Sequence, residues 1–139
     1  MANTFTAPFV QVQKTGSAIA TAAVSGVGTN TPTGLVPLGA AAGANGALVT
    51  RITAMPRATV TASSLLLYSS KDAGATFQLI DSELMGAYTL ATTTAIPETS
   101  FGNISQDTPL RLQAGEQLYV GSQVALAAGI QFRSEGGDF

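Results

Sequence analysis

The sequence predicts an all-β protein, an antiparallel β-sandwich of the jelly-roll or immunoglobulin-like type with an extended N-terminal arm. Three observations support this prediction. The chain has 139 residues, a length that suits one domain with a hydrophobic core. Apolar and polar residues alternate with a period of two in several short segments, as they do in half-buried strands. No segment has the apolar spacing of a convincing amphipathic helix, so about eight or nine short strands are expected.

Residues 1–46 are predicted to form the arm and peripheral strands of this single domain. Val10 and Val12 alternate with Gln11 and Gln13, a pattern typical of a strand. The tract 26–47 is rich in Gly, Pro, Asn and Thr, which predicts loops and turns with a short extended piece at 35–38. Residues 47–139 are predicted to form the main β-sandwich, because the first part holds too few large apolar residues for a core of its own.

The main sandwich begins with the segment ALVTRITAM at 47–55. Its alternation predicts a strand with two faces, one formed by Leu48, Ile52 and Ala54 and the other by Val49, Arg51 and Thr53. Pro56 is expected to end this strand, because proline has no N–H for the ladder. The short segment 58–62 is interpreted as a continuation.

A β-hairpin is predicted next. The continuous apolar run at 65–68 indicates a strand that is buried on both faces, and KDAG at 71–74 is a polar turn. In the returning strand, Phe77 and Leu79 are expected to face the same way. The Thr-rich segment 87–94 favours a further strand, whereas 82–88 has the weaker alternative of a helical turn.

The ending from 110 to 139 predicts two or three closing strands that share one apolar face. Breaks at 114–115 and 124–129 separate these strands. The residues expected on the apolar face all have even numbers: Leu110, Leu112, Leu118, Val120, Ile130 and Phe132.

Composition excludes or disfavours several classes of function. Charged residues make up 10% of the chain, its net charge is −2, and it has neither histidine nor cysteine. Catalytic triads, cysteine nucleophiles, and His- or Cys-ligated metals are therefore excluded, and no cofactor is expected. The six basic residues form no cluster, so a nucleic-acid partner is not expected. No run is long and apolar enough to cross a bilayer, so no membrane partner is expected, and the N-terminus does not resemble a secretory signal.

Three weaker chemical motifs have simpler interpretations. Ser70 and Lys71 are neighbours beside a turn, where a solvated lysine is more common than a catalytic one. Asp81 and Glu83 have the i,i+2 spacing of one strand face, but a carboxylate pair for glycoside hydrolysis needs a precise separation in a cleft. The glycines at 26, 28, 39 and 43 lack the strand, helix and Lys-Ser/Thr of a phosphate loop. We expect loops and surface charges at these positions.

An exposed apolar N-terminal arm is a common docking element, and covering its own sandwich is the equal alternative. Phe139 at the C-terminus raises the same question. The residues predicted to form an interface are Phe5, Pro8, Phe9, Val10, Arg51, Arg57 and Phe139.

The chain resembles small structural proteins of tailed bacteriophages. The resemblance lies in MANTFTAPFV, in GALVTRITAMPRATVTASSLLLYSSKDAGATFQLIDSELMGAYTL and in LYVGSQVALAAGIQFRSEGGDF, and it covers most of the chain. It implies a non-catalytic virion component, assembled in the host cytoplasm, that is similar to head decoration (cement) proteins. Such proteins bind the major capsid protein, stabilise the shell, commonly form trimers and use a terminal arm as a clamp.

Two alternatives stay open at this point. The first is a tail, fibre or receptor-binding virion component, for which an aromatic-rimmed groove would be the discriminating feature. The second is a small enzyme that uses Asp81 and Glu83.

Overall fold

The computed structural model describes residues 10–139, and within this range it has no helix and nine strands. The strands are β1 Val12–Ala20, β2 Val36–Pro37, β3 Ala47–Pro56, β4 Ser63–Ser70, β5 Gln78–Met85, β6 Thr99–Ser100, β7 Leu110–Leu112, β8 Gln117–Ser122 and β9 Ile130–Asp138. All pairs between them are antiparallel. The all-β sandwich expected from the alternation pattern is thus confirmed.

The strands form two sheets. Sheet A has the order β1-β9-β3-β6, with β7 also pairing along β3, and sheet B has the order β2-β8-β4-β5. The pairs β4–β5, β3–β6, β2–β8 and β1–β9 are nested in the sequence, so the chain folds back on itself around the β4–β5 hairpin. The strands β1 and β2 lie at the edges of the two sheets, while the division of the chain at residue 46 stays a prediction.

The main hydrophobic core lies between the two sheets. Sheet A contributes Ile52, Ile130 and Phe132, and sheet B contributes the facing side chains of β4 and β8, all nearly inaccessible to solvent. Burying an aliphatic or aromatic side chain of this size stabilises the fold by about 1.5–3 kcal/mol. The six even-numbered residues predicted to form the apolar face of the last strands do contact this core, although Leu110 is only partly buried.

A β-bulge in β3 changes which of its side chains point inward. The register against β9 shifts between Val49 and Arg51, so Val49 is buried before the bulge and Ile52 after it. The predicted face that grouped Leu48 with Ile52 is therefore wrong, since Leu48 is only half-buried. One extra residue in a strand reverses the alternation beyond it, and strict period-two counting does not detect it.

A second, smaller core covers the part of the outer face of sheet B that β4 and β8 form. The segment 24–35 packs Val24, Val27 and Leu35 against Leu66 and Tyr68 of β4. The Tyr68 hydroxyl donates a hydrogen bond to the Val27 carbonyl at 3.0 Å, and burial raises the pKa of this hydroxyl. These contacts explain why β4 is buried on both faces, as its continuous apolar run predicted.

The polar turn at 71–74 joins β4 to β5, which confirms the predicted hairpin. Ala73 and Gly74 have φ of 59° and 90°, and the Ala75 N–H donates to the Asp72 carbonyl at 3.3 Å. Two successive positive φ values are typical of a type I′ turn, in which Asn and Gly are favoured. Alanine is therefore a poor residue at the first of these two positions.

We expect Ala73→Asn to stabilise the protein by about 0.5–1 kcal/mol, because a Cβ makes the left-handed conformation costly and asparagine tolerates it best. The urea midpoint of unfolding measures this gain. The matched control is Ala75→Asn, at an exposed position with ordinary backbone angles. An equal gain from both variants would show that the turn conformation is not the cause.

Acid should weaken this hairpin through Asp72. Its carboxylate accepts the Thr76 N–H at 2.8 Å as well as the Thr76 and Ser70 hydroxyls, and these hydrogen bonds lower its pKa from 3.8 to about 2. A lowered carboxyl pKa stabilises the folded state above the unfolded pKa, and this contribution is lost as the pH falls through the folded value. We expect the stability difference between wild type and Asp72→Asn to shrink between those two pKa values.

Denaturant midpoints measured across that pH range test the expectation. Thr76→Val removes the hydroxyl donor and keeps the Thr76 N–H. The stability of this variant should therefore depend on pH less than that of wild type and more than that of Asp72→Asn. A difference between wild type and Asp72→Asn that stays constant with pH would contradict it.

Three predictions about short segments before β4 and around the end of β5 are wrong. The segment 87–94 is not a strand, since only Tyr88 makes an isolated bridge, to Val60, and the predicted continuation at 58–62 is reduced to the same bridge. The possible helical turn at 82–88 is also absent, because β5 continues through Met85 in its pairing with β4. High β-propensity does not make a strand where no neighbouring strand offers a ladder.

Candidate interaction surface

The outer face of sheet A differs from that of sheet B, because most of its side chains are exposed or half-buried. We call it the sheet A face. The strand register aligns Ser17, Arg133 and Thr53 in one row across β1, β9 and β3. The next row holds Thr15, Glu135 and Arg51. Short polar and long charged side chains thus share these two rows across three strands.

The charges on the sheet A face occur largely in ion pairs. Arg51 Nη2 lies 2.6 Å from Glu98 Oε1, and Arg133 Nη2 lies 3.4 Å from Glu135 Oε1. All four side chains are solvent-exposed to a large degree, so each pair contributes little to folding stability, about 0–1 kcal/mol. These pairs are therefore free to exchange partners at an interface without a large loss of stability.

A partly buried ion pair fixes the start of β1 against the end of β9. Lys14 Nζ lies 3.0 Å from Asp138 Oδ2 and donates to the Ala41 carbonyl at 3.0 Å. Asp138 Oδ1 also accepts the Gly43 N–H at 3.2 Å. The Gln11 N–H donates to the Asp138 carbonyl at 3.0 Å. This network holds the first residues of β1 against the last residues of β9.

The structure separates the predicted interface residues rather than joining them in one cluster. Val10 lies against Gly137, and the Phe139 N–H donates to the Gly46 carbonyl at 3.2 Å, so both residues lie at the C-terminal end of β9. Arg51 is in the middle of the sheet A face. Arg57 follows β3 at the opposite end of β9, about 25 Å away at the usual rise per strand residue. Phe5, Pro8 and Phe9 lie outside the described residues.

The chemically suggestive residues of the β4–β5 hairpin have structural roles. The Ser70 hydroxyl donates to Asp72 Oδ1 and accepts the Gly74 N–H, while Lys71 is exposed in the turn. Asp81 Oδ1 accepts the Ser82 N–H at 2.8 Å and the Asn103 side-chain amide at 3.2 Å. Residues 10–139 contain no group of three or more acidic side chains arranged to hold a metal ion.

Sequence reasoning missed two features that shape the molecular surface. One is the cover over sheet B, whose signal was three large apolar residues at Val24, Val27 and Leu35 within a glycine-rich tract. The other is a cavity of about 170 Å³ between β5 and the loop before β7, lined by Ile80, Asp81, Asn103, Ile104, Thr108, Pro109 and Leu110. No local pattern could reveal this cavity, because its two walls are more than 20 residues apart in the chain.

No protein-family model matches this chain, and neither a curated protein sequence nor a solved structure is significantly similar to it. Within the described range 10–139, there is no helix with the length and apolar character needed to cross a membrane.

Proposed function

We propose that this protein is a non-catalytic decoration (cement) protein of a tailed-bacteriophage head, which binds the outer surface of the shell and stabilises it. The observation that carries the proposal is the contrast between the two sheet faces. In sheet B the segment 24–35 covers Leu66 and Tyr68 of β4 but leaves β5 exposed, whereas the sheet A face presents polar and charged side chains with exposed ion pairs. The phage-like segments in the sequence and the low charge support the same role.

The finer architecture that we propose is a jelly roll. The nested antiparallel pairs around the β4–β5 hairpin and the repeated crossing of consecutive strands between the sheets support it over an immunoglobulin-like sandwich. Jelly rolls are common in viral capsid domains and in lectins. The lectin-like alternative of a tail or receptor-binding component is less favoured, because the Phe77 ring packs edge-to-face on the rings of Tyr68 and Tyr119, which engages these three aromatic side chains within the fold.

In this proposal the major capsid protein contacts the sheet A face, and the protein acts as a homo-oligomer, with a trimer favoured. The N-terminal arm, which precedes Lys14 in the sequence, clamps the shell. Binding of many copies to the assembled shell stabilises it by mass action. Nucleic acid and membranes take no part, and the protein resides in the virion.

A shell-binding assay with two matched surface variants tests which face is used. Ser17→Arg places a large cation on the sheet A face, and Thr31→Arg places the same side chain on the exposed segment that covers sheet B. We expect Ser17→Arg to weaken binding to expanded shells at least about tenfold and Thr31→Arg to change it less than about twofold. Equal effects would contradict the assignment of the face.

Deletion of residues 2–9 tests the arm. The truncated protein should keep the unfolding midpoint of the full chain and lose attachment to shells. Normal attachment would overturn the arm hypothesis while leaving the rest of the proposal intact. The molar ratio of this chain to the major capsid protein, measured in particles by mass spectrometry, tests the role itself, since a few copies per hundred shell subunits would indicate a tail or portal component.

A further inference from the structure

The strand β1 has a free edge with unpaired main-chain groups. It lies at one end of sheet A, and among residues 10–139 only β9 pairs with it. The Gly16 N–H points toward β9, because it donates to Ser134 Oγ at 3.1 Å. Since main-chain groups alternate in direction along an antiparallel strand, those of the odd-numbered residues of β1 point away from β9. These residues are all solvent-exposed: Gln13, Thr15, Ser17 and Ile19.

This edge lacks the features that protect the other sheet edges. The strands β2, β6 and β7 are only two or three residues long. The longer β5 carries Asp81 and Glu83, and its register against β4 shifts between Leu67 and Tyr68. In contrast, β1 has nine residues, no proline and no register shift against β9. Because short length, charges and bulges discourage pairing at an edge, β1 is the edge best suited to accept another strand.

The single charged side chain of β1 is held within the molecule. Lys14 Nζ lies 3.0 Å from Asp138 Oδ2 and donates to the Ala41 carbonyl at 3.0 Å. An edge lysine prevents pairing when its charge lies where the next strand would bind, whereas this charge already has two partners. All other residues of β1 are uncharged, so the free edge offers little electrostatic repulsion to a second strand.

We propose that β1 pairs in antiparallel orientation with β1 of a second copy of this chain, about a two-fold axis at Gly16. Only this register gives every residue of the strand a partner, with Val12 opposite Ala20 and Lys14 opposite Ala18. A two-fold interface uses the same surface of both copies, so the strand must be complementary to itself. In this register no two charges lie opposite each other, which is why we assign the edge to a second copy.

The register also brings the unpaired main-chain groups together. Gln13 lies opposite Ile19, and Thr15 lies opposite Ser17, so groups that point away from β9 in one copy face the corresponding groups of the other. Such a pair exchanges two hydrogen bonds, and the two-fold axis repeats both pairs, which gives about eight bonds. This number is within the range of about 5–15 direct hydrogen bonds in a typical interface.

This pairing would make sheet A continuous across two copies. It does not rest on the proposed virion role, and it is a two-fold contact, distinct from the contacts within a trimer. A protein without any role in a virion would still associate through β1.

Hydrogen exchange of the full chain at several protein concentrations tests the pairing, with sedimentation equilibrium to follow association. We expect a dimer to form as the concentration rises. Exchange of the four outward-pointing amides should then slow at least about tenfold, because a hydrogen-bonded amide exchanges only when it opens. These amides belong to Gln13, Thr15, Ser17 and Ile19.

Three outcomes would overturn the proposal. The first is a monomer at every concentration. The second is an oligomer in which these four amides still exchange rapidly, as expected if copies associate through another surface. The third is slow exchange already in the dilute monomer, which would show that another part of the same chain covers the edge.

Two variants at Thr15 provide a matched comparison. Thr15→Pro removes one outward N–H from each copy, and proline is tolerated on an edge strand where the N–H faces solvent. Thr15→Ala keeps this N–H. We expect Thr15→Pro to weaken dimerisation at least about tenfold and Thr15→Ala to weaken it less than about threefold. Equal dimerisation of the two variants would contradict the pairing, and the exchange data on the wild-type chain decide the question if Thr15→Pro does not fold.

Discussion

Phe132→Ala is expected to destabilise the protein by about 3–5 kcal/mol, as truncation of a fully buried aromatic side chain does elsewhere. Phe132 is completely inaccessible to solvent and lies on β9, which pairs with both β1 and β3. The substitution leaves a cavity at the centre of sheet A, where the surrounding backbone ladders limit collapse. Since a domain is stable by only about 5–15 kcal/mol, this loss is a large part of the total.

Denaturant unfolding followed by circular dichroism measures the effect. Leu84→Ala is the matched control, because Leu84 also lies on a strand but its side chain is 68% exposed. Its expected effect is within about 0.5 kcal/mol. If both variants lost the same stability, the assignment of the core to the space between the sheets would be wrong.

Gly136→Ala is expected to cost about 3 kcal/mol or more, because overpacking against rigid backbone is at the upper end of such effects. A Cβ at Gly136 would overlap the Leu48 carbonyl oxygen and would lie 2.9 Å from the Leu48 carbonyl carbon and from Val49 Cα. All of these atoms belong to the backbone of β3 next to its bulge. The two central strands of sheet A would have to separate to accept the methyl group.

The control for this prediction is Gly102→Ala. A Cβ at Gly102 would meet no atom within 4 Å, so the same chemical change should alter stability by less than about 1 kcal/mol. The urea midpoints of unfolding of both variants measure these two changes in stability. A Gly136→Ala protein as stable as Gly102→Ala would show that β3 and β9 do not approach each other as closely as described.

The local sequence pattern predicted the structure correctly where a strand pairs regularly and buries one face. The last strands follow their even-numbered apolar positions, and the apolar run of β4 correctly indicated burial on both faces. The KDAG turn is predictable because a polar tetrapeptide separates two strand-like segments. The sequence pattern predicted the wrong structure at the β3 bulge and at 87–94, because the structure of both segments depends on which strand lies beside them. A bulge is set by the partner, and a Thr-rich segment without a partner stays irregular.

The candidate surfaces were less predictable than the fold. The sequence predicts Arg51 as an interface residue, whereas its pairing with Glu98, 47 positions along the chain, depends on the tertiary structure. The cavity beside Asp81 lies between β5 and a loop that follows β6, so the sequence of neither segment alone predicts it. The predicted interface residues Val10 and Arg57 fall at opposite ends of β9, a separation that depends on strand register.

The strand content and the scarcity of catalytic side chains follow from the linear sequence, because period-two alternation and composition are local properties of the chain. The nesting of strand pairs, the covering of Leu66 and Tyr68 by 24–35 and the exposure of the sheet A face follow from the folded arrangement of the chain. These features depend on contacts between distant residues. Gly136 beside Leu48 and Val10 beside Gly137 illustrate them, since such close approaches follow from strand register and leave no periodic trace.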